Sequence, residues 1–434
     1  MQTDLESKKI LKWGIWAYFL LLIFEGSLRK WVLPGLATPL LVVRDPIAIW
    51  LIYLSWKRNL LPTNIYITAM FIITVLSICA ALIFGHGNLF VTIYGARILL
   101  IHFPLIFIIG KILDKEDVIK IGRVMLWISI PMVILIALQF YSPQSAWVNR
   151  GVGGDMEGAG FSGAMGFFRP PGTFSFTNGN TLFFSFLASF IIYFWVTISK
   201  INKIILIGAS LALVISIPLS ISRGLLFSVG VSLIFAIFAL LRKPKNFFKI
   251  IIVGLVFIGL LFVLNEVEFF QTATEAFTNR FETASDFEGG IQGTLIDRYF
   301  GSFIDAFSGS SGMGFFGYGI GMGTNAGSQL LTGERAFLIA EGEWGRLIGE
   351  MGLLLGSAVI LIRMLFCAEI LLKSFKNLKS ENLLPWLLLS FGLLNIPQGQ
   401  WAQPTALGFA IVSGGLILAS LNDPEVQDEN IKST

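Results

Sequence analysis

Twelve long apolar runs constrain this chain more than any other feature of its 434 residues. Each has roughly 17 to 25 residues, the length of a helix that crosses the hydrocarbon core of a bilayer. A segment in lipid must satisfy its own backbone hydrogen bonds, so runs of this length predict helices. The sequence therefore predicts an all-α, polytopic integral membrane protein. The runs cover residues 13–28, 38–56, 65–85, 91–112, 121–141, 181–199, 204–221, 225–241, 249–266, 347–372, 382–397 and 402–421.

The composition supports a membrane protein and excludes several other classes. Charged residues make up 13% of the chain, against about 25% in soluble domains. No small-residue cleavage site follows the first run, so we expect no cleaved signal peptide. Cys79 and Cys367 both lie inside apolar runs, which excludes a disulfide framework and a thiolate metal cluster. Nothing in the sequence predicts a nucleic-acid partner.

The basic residues predict the orientation of the chain. Nineteen of the 31 Lys and Arg residues lie at the termini and on alternate connections, which the positive-inside rule places in the cytoplasm together with both termini. Two connections on the opposite side are long, residues 142–180 and 267–346, and long loops are usually functional. Apolar residues at helical spacing, Phe277/Phe281 and Leu295/Tyr299, predict two short helices in the larger loop. We expect one membrane domain over residues 1–434 with these two loops outside.

Eight of the nine basic residues on the opposite side are arginines. Arginine presents a planar donor fork that fits phosphate oxygens, which predicts a phosphate-containing ligand there. Arg44 and Arg97 lie about 9 Å in from the outer ends of their predicted helices, where a charge is costly and is by default a functional candidate. Pairing of Arg44 with Asp45 or Glu25 is the alternative. Arg363, near the inner end of its predicted helix, is expected to snorkel.

Charge is also concentrated in residues 333–352, GERAFLIAEGEWGRLIGEMG, just before and within a late apolar run. On a helix, Glu343, Arg346 and Glu350 fall on one face, whereas Glu341 points elsewhere and has no local partner. A carboxylate near a helix N-terminus suits a proton acceptor, so Glu341 is a candidate general base. The alternative is that these residues form a solvated collar on a membrane helix.

Other chemistries find little support in the sequence. The glycine-rich residues 312–327, GMGFFGYGIGMGTNAG, follow no strand and lack a closing Gly-Lys-Ser/Thr, so they do not predict a nucleotide-binding loop. They favour close backbone packing or the approach of a sugar or phosphate. The chain has no Asp-x-Asp, and its two histidines are His86 and His102. We therefore expect neither a metal ion nor a cofactor.

Four short motifs stand out along the chain: the RPPGTFSFTNGN segment that begins at Arg169, Ser222-Arg223-Gly224, the segment from Arg298 to Ala306 followed by FGYGIG, and Glu350-Met351-Gly352-Leu353. They resemble motifs of the O-antigen ligase and O-antigen polymerase-like superfamily of bacterial inner-membrane glycosyltransferases. Their order along the chain and their predicted side of the membrane agree with that superfamily. One departure concerns the general base, because family ligases usually carry His nine residues before the Glu of Glu-x-Gly, where this chain has Glu341.

The resemblance implies a GT-C-like fold in the inner membrane with a periplasmic active site for polysaccharide assembly. It implies transfer of a glycan from undecaprenyl diphosphate to a hydroxyl of a growing glycan or lipid A-core, with inversion and without a metal or cofactor. Glu341 would be the base, with Glu343 as its competitor. The predicted diphosphate-binding residues are Arg169, Arg223 and Arg298, with Arg44, Arg97 and Arg346 as further candidates.

Two other functions fit a chain of this kind. A transporter or flippase of lipid-linked sugars also has about twelve helices, although no internal repeat is visible and the polar residues gather on one side. A cell-wall glycosyltransferase of the shape, elongation and division type also has a large outer loop. The sequence leaves open the sugars, the acceptor, the choice between polymerase and ligase, and the oligomeric state.

Overall fold

The computed structural model describes residues 2–197, 201–241, 266–288, 315–333, 338–340, 342–380 and 382–422, with residues 254, 259 and 307 between them. This part of the chain is almost entirely helical. Its α-helices are α1 (Gln2–Ser27), α2 (Ala37–Leu40), α3 (Arg44–Lys57), α4 (Ile65–Ile83), α5 (Leu89–Arg97), α6 (Phe103–Ile112), α7 (Lys115–Tyr141), α8 (Thr177–Val196), α9 (Lys203–Leu219), α10 (Arg223–Leu241), α11 (Glu268–Glu288), α12 (Asn325–Thr332), α13 (Glu343–Asn377), α14 (Leu384–Asn395) and α15 (Pro404–Leu421).

Nine helical segments of the described chain are long and apolar enough to cross a membrane, and they coincide with nine of the twelve predicted runs. The runs at 204–221 and 382–397 form the shorter apolar helices α9 and α14. The run at 249–266 lies almost wholly outside the described residues. The chain is thus a polytopic helical membrane protein, as the apolar runs predict.

Helices α8 and α15 lie at the centre of the bundle. Residues 182–194 of α8 are all buried, and α15 packs against α6, α8 and α14. Small residues allow α6 and α15 to approach closely, because a Cβ atom built on Gly415 would lie 2.6 Å from Cβ of Ile109. A continuous apolar run such as that of α8 suits a helix surrounded by other helices.

Two π-helical turns interrupt the regular helices. Leu28–Val32 continues α1, and Ile98–His102 joins α5 to α6 within one membrane span. Each turn ends two residues before a proline, Pro34 or Pro104, which has no N–H to donate to the preceding turn. At Pro104, within a continuous span, the widened backbone accommodates the missing hydrogen bond, whereas the first helix has already ended at Leu33 before Pro34. Such turns are frequent at functional sites.

The connections between helices gather at two ends of the bundle. We call the end that carries residues 142–176 and 315–333 the loop end. It includes a short antiparallel sheet of β1 (Phe161–Ser162) and β2 (Phe168–Arg169). The opposite end, which we call the lysine end, carries the turns after α3, α6 and α13; there Lys12 of α1 pairs with Asp114 at 3.0 Å.

The larger predicted loop contains two helices among its described residues. The spacing of Phe277 and Phe281 is that of α11, which packs against α9. The second predicted segment, around Leu295 and Tyr299, lies outside the described residues. Helix α12 was not predicted from the sequence; the Thr324 side chain caps it by accepting a hydrogen bond from the backbone N–H of Gly327.

Candidate functional site

Helix α13 is broken at Gly352, where the sequence predicts an uninterrupted span. Gly352 has φ 73° and ψ 171°, a conformation that is essentially restricted to glycine. A Cβ atom built on Gly356 would lie 2.6 Å from the carbonyl oxygen of Leu347, so residues 343–351 fold back along the residues that follow the break. The run predicted over residues 347–372 is therefore helical, but a reversal of the chain at Gly352 interrupts it. We call residues 343–351 the short arm and residues 353–377 the long arm of a helical hairpin.

The hairpin brings together four charged side chains, which we call the hairpin cluster: Glu343, Arg346, Glu350 and Arg363. The Glu343 Oε1 atom accepts hydrogen bonds from Arg346 Nη2 at 2.9 Å and Arg363 Nη1 at 2.6 Å. Its Oε2 atom accepts from Arg346 Nε at 3.0 Å and from the backbone N–H of Trp401 at 3.1 Å. An ionised carboxylate offers about four acceptor positions. All of them are occupied at Glu343.

Arg346 also holds the second carboxylate of the cluster. Its Nη1 atom donates to Glu350 Oε2 at 2.6 Å, and Glu350 Oε1 accepts from the backbone N–H of Gly323 at 2.8 Å. Glu343, Arg346 and Glu350 are each less than 5% exposed. The prediction that they share one helix face is confirmed. The alternative of a solvated collar is wrong for these three residues, because they form a buried network whose charges are balanced by Arg363.

The glycine-rich loop provides hydrogen-bond donors for the last carbonyl groups of the short arm. The last carbonyl groups of a helix lack partners within it. The Gly349 carbonyl accepts from the N–H of Tyr318 at 2.8 Å, and the Glu350 carbonyl accepts from Gly319 at 2.9 Å. A Cβ atom built on Gly317 would lie only 2.4 Å from the nitrogen of Gly352. Glycines are needed here because the loop lies backbone to backbone on the hairpin.

Arg363 does not snorkel, contrary to the prediction. It is fully buried, donates to the carbonyl oxygens of Ile396 and Gly399 at 2.7 and 3.1 Å, and stacks 3.8 Å from the centre of the Trp401 ring. At 1.5 Å per residue it lies about 16 Å from Gly352 and about 21 Å from Asn377. The Glu343–Arg363 pair of the hairpin cluster therefore lies about halfway along the long arm. The sequence feature that could have predicted this burial is the presence of a single arginine within a long apolar run.

A second buried group of charges lies beside the two π-helical turns, and we call it the π-turn cluster. The Glu25 carboxylate accepts from Arg29 Nη1 at 3.4 Å and from Arg44 Nε at 3.2 Å. Arg44 Nη2 also donates to the carbonyl oxygen of Pro404 at 2.5 Å. Pairing of Arg44 with Glu25, the alternative to a ligand-binding role, is thus present in the structure.

The other half of the π-turn cluster is a chain of four side chains. Both carboxylate oxygens of Asp45 accept from Arg97 Nη1, at 2.8 and 2.9 Å. Asp45 Oδ1 also lies 3.0 Å from His102 Nε2, and His102 Nδ1 lies 2.9 Å from the Tyr18 hydroxyl. Tyr18 and His102 are both buried, and the Tyr18 hydroxyl and both ring nitrogens of His102 have partners within the protein.

The π-turn cluster carries more positive than negative charge. Its described residues include three guanidinium groups and two carboxylates. Arg44 Nη1 and Arg97 Nε are buried donors without a hydrogen-bond partner among the described residues. Close by, Lys30 is fully buried and donates to the carbonyl oxygen of Gly172 at 2.7 Å. An excess of buried positive charge favours an anion in its vicinity.

The segments that carry three further arginines meet at the loop end around Gly163, and we call these residues the loop arginines: Arg169, Arg223 and Arg280. A Cβ atom built on Gly163 would lie 3.4 Å from Arg169 Cγ and 2.7 Å from Ile221, two residues before Arg223. Arg280 Nη1 donates to the carbonyl oxygen of Gly163 at 2.8 Å.

Contacts between neighbouring segments hold the loop arginines in place. Phe227, one turn after Arg223, packs against Phe281 with ring centroids 5.8 Å apart. Thr181 donates a hydrogen bond to Ser222 at 3.1 Å, which ties the start of α8 to the start of α10. Each loop arginine is partly exposed. Sequence reasoning named Arg169 and Arg223 as site residues but missed Arg280, which no short motif marks.

No family model, curated protein or solved structure matches this chain. A function for these residues must therefore be inferred from their geometry and from the motifs of the sequence.

Two predicted site residues, the candidate base Glu341 and the arginine Arg298, lie outside the described residues. Arg346 is held between Glu343 and Glu350, whereas Arg44 and Arg97 are held by Glu25 and Asp45.

The described residues provide no group of three His, Cys, Asp or Glu side chains that could hold a metal ion. The hairpin cluster is also tightly closed. The cavity beside it measures about 10 Å³ and is lined partly by Ala340, Arg346 and Gln400, which is about the space of one water molecule. The hairpin cluster thus stabilises the packing of the hairpin, whereas the loop arginines are accessible to solvent.

Proposed function

We propose that this protein transfers a glycan from undecaprenyl diphosphate to a sugar hydroxyl at the periplasmic face of a bacterial inner membrane. The observation that carries the proposal is that the segments bearing Arg169, Arg223 and Arg280 meet at the loop end. Two of these arginines belong to motifs that resemble the O-antigen ligase and polymerase-like superfamily. The finer architecture belongs to the same proposal: twelve spans, a GT-C-like arrangement, cytoplasmic termini, and residues 142–180 and 267–346 outside.

The loop arginines suit the leaving group of this reaction. As the bond between the anomeric carbon and the diphosphate oxygen breaks, its electron pair remains on undecaprenyl diphosphate. Guanidinium groups fixed in advance stabilise that developing charge, and their paired N–H donors fit phosphate oxygens. Arg298 belongs to the same predicted set. The positive excess of the π-turn cluster, with Arg44 and Arg97, would add a longer-range attraction for the anion.

The acceptor hydroxyl must lose a proton as its oxygen attacks the anomeric carbon. We assign that proton to Glu341, whose position matches that of the histidine in the related ligases. Glu343, the competing candidate, has all its acceptor positions occupied by Arg346, Arg363 and the Trp401 N–H, so it has no free lone pair for a substrate proton. In the proposal Glu343 is a positioning residue that fixes the start of the short arm, two residues after Glu341.

A second candidate function is transport of a lipid-linked sugar. It is favoured by the break at Gly352 and by the depth of the hairpin cluster, because transporters commonly build their sites from discontinuous helices near the middle of the membrane. The cluster is charge-balanced and closed, whereas the accessible positive charge is at the loop end. These features favour the transferase.

A transfer assay on the purified protein separates the two functions. Lipid-linked glycans extracted from a strain that lacks this protein are labelled and incubated with the protein in detergent and with the host's acceptor glycans. We expect the label to move to the acceptor, and chelators to have no effect. Arg223→Ala should abolish transfer, whereas Arg150→Ala, which changes another loop-end arginine, should not. Full activity of Arg223→Ala would contradict the diphosphate role.

Movement of the lipid-linked glycan across proteoliposome membranes without transfer would favour the transporter. The surface polysaccharides of the deletion strain would then identify the acceptor class. Loss of long chains with single units retained indicates a polymerase. Intact lipid-linked polymer that stays unattached indicates a ligase.

A further inference from the structure

A cavity opens at the lysine end of the bundle, opposite the loop arginines. It has a volume of about 470 Å³ and lies where the ends of α6, α13 and α15 meet. This volume is within the range of small-molecule sites. It is lined by Gly110, Lys111, Lys373, Lys376, Asn377, Leu418, Leu421 and Asn422.

The lining has two chemical layers. Three ammonium groups, those of Lys111, Lys373 and Lys376, surround the cavity together with the carboxamides of Asn377 and Asn422. All three lysines are exposed to solvent. Leu418 and Leu421 of α15 provide an apolar wall. A polar, positively charged rim above an apolar wall is suited to an amphipathic anion.

Among the described residues, the local charges do not cancel. Glu369 is the acidic partner of Lys373, at 2.5 Å, and it also accepts a hydrogen bond from the Tyr66 hydroxyl. Within the described part of the chain, that pair leaves Lys111 and Lys376 as an excess of positive charge at the cavity. Asn422 donates to the carbonyl oxygen of Gly110 at 2.7 Å, which fixes α15 against α6 at this corner.

The position of the cavity along the helices fits the edge of a bilayer. Lys111 is in the last turn of α6, Lys373 and Lys376 are in the last turns of α13, and Leu421 ends α15. The apolar parts of the same helices continue away from this edge. Lysines at such helix ends reach the headgroup layer, and basic pockets between spanning helices on the cytoplasmic side bind acidic headgroups.

We propose that this cavity binds the phosphate headgroup of an anionic phospholipid. The ammonium groups would contact the phosphate, the carboxamides would bind headgroup hydroxyls, and an acyl chain would run along Leu418 and Leu421. The inference does not depend on the proposed transferase activity. A soluble phosphate ester shares the headgroup chemistry, so the experiment must separate the two sources.

Binding is tested on the full chain in a neutral detergent. Phosphatidylglycerol or phosphatidylcholine is titrated while retained lipid is counted by native mass spectrometry and the melting temperature is followed. We expect phosphatidylglycerol, and not phosphatidylcholine, to be retained and to raise the melting temperature. Inorganic phosphate and glycerol 3-phosphate should not compete, because they lack acyl chains; competition by either would replace the lipid with a soluble phosphate ester and overturn the proposal.

The triple variant K111Q/K373Q/K376Q should bind phosphatidylglycerol about a hundredfold more weakly, since each lysine near a charged headgroup contributes about a factor of five. Its matched control is K57Q/K203Q/K379Q, which removes three exposed lysines elsewhere in the described chain. Equal loss in both variants would mean diffuse attraction and overturn the site. Lys376→Glu provides a second measurement if the triple variant does not fold, and wild-type affinity in that variant would also overturn it.

Discussion

At the scale of single residues, the hairpin cluster is the most closely coupled part of the described chain. Glu343 is held by two arginines and a backbone N–H, and removing one partner of a buried ion pair leaves an uncompensated charge. Arg363→Met should therefore lower the free energy of unfolding by about 3–5 kcal/mol. Thermal melting in detergent measures this loss, with Lys373→Met as a control at an exposed pair of the same helix.

A second substitution checks that the loss arises from the pair. The double variant Glu343→Gln/Arg363→Met should be less destabilised than the sum of the two single variants, because the uncompensated charge disappears. Additive effects of the two substitutions would contradict a direct interaction between Glu343 and Arg363.

The two neighbouring carboxylates should respond differently to the loss of their charge. Glu341→Gln should reduce the transfer rate about a hundredfold, as expected for a general base, while the lipid-linked donor still binds. Glu343→Gln should mainly lower the melting temperature, because it removes acceptors from Arg346 and Arg363. Rates and melting curves of both variants test this assignment. A well-folded Glu343→Gln variant without activity, beside an active Glu341→Gln variant, would reverse the two roles.

At the scale of one element, the α13 hairpin depends on a single glycine. At Gly352 the backbone conformation is restricted to glycine, and a Cβ atom would lie 2.0 Å from the carbonyl oxygen of Phe315. Gly352→Ala should therefore destabilise the protein by at least about 1–3 kcal/mol from backbone strain alone, with the steric overlap in addition. The expected result is a lower melting temperature and a broader size-exclusion profile.

Gly230 of α10 provides the matched control. A Cβ atom there would meet nothing within 4 Å, and alanine favours a helix by up to about 1 kcal/mol relative to glycine. Gly230→Ala should thus leave the melting temperature unchanged or raise it. A Gly352→Ala protein as stable as Gly230→Ala would show that the chain does not reverse at this position.

At the scale of the whole molecule, the distribution of basic residues predicts that the lysine end faces the cytoplasm. Ser162 at the loop end and Ser380 at the lysine end are both exposed. In a Cys79→Ser background, Ser162→Cys should react with an impermeant maleimide in cells with a permeabilised outer membrane. Ser380→Cys should react only after the inner membrane is opened. The opposite labelling pattern would invert the topology and remove the periplasmic site from the proposal.

Much of this architecture is determined by the sequence alone. Long apolar runs become helices because lipid offers no partner for the backbone, and nine of them match spans of the described chain. The shared face of Glu343, Arg346 and Glu350 follows from the helical repeat, which fixes contacts three and four residues apart. These features depend on local geometry, and local geometry can be predicted from residue spacing.

Only the tertiary structure decided which distant charges meet. Glu343 and Arg363 would be about 30 Å apart on a straight helix, yet they pair because Gly352 reverses the chain. Asp45 reaches Arg97, and Arg280 reaches the carbonyl oxygen of Gly163, through the packing of separate helices and loops. Spacing in the sequence does not specify these contacts. Burial determines which charged residues pair, because a charge removed from water is stable only where the fold supplies its partner.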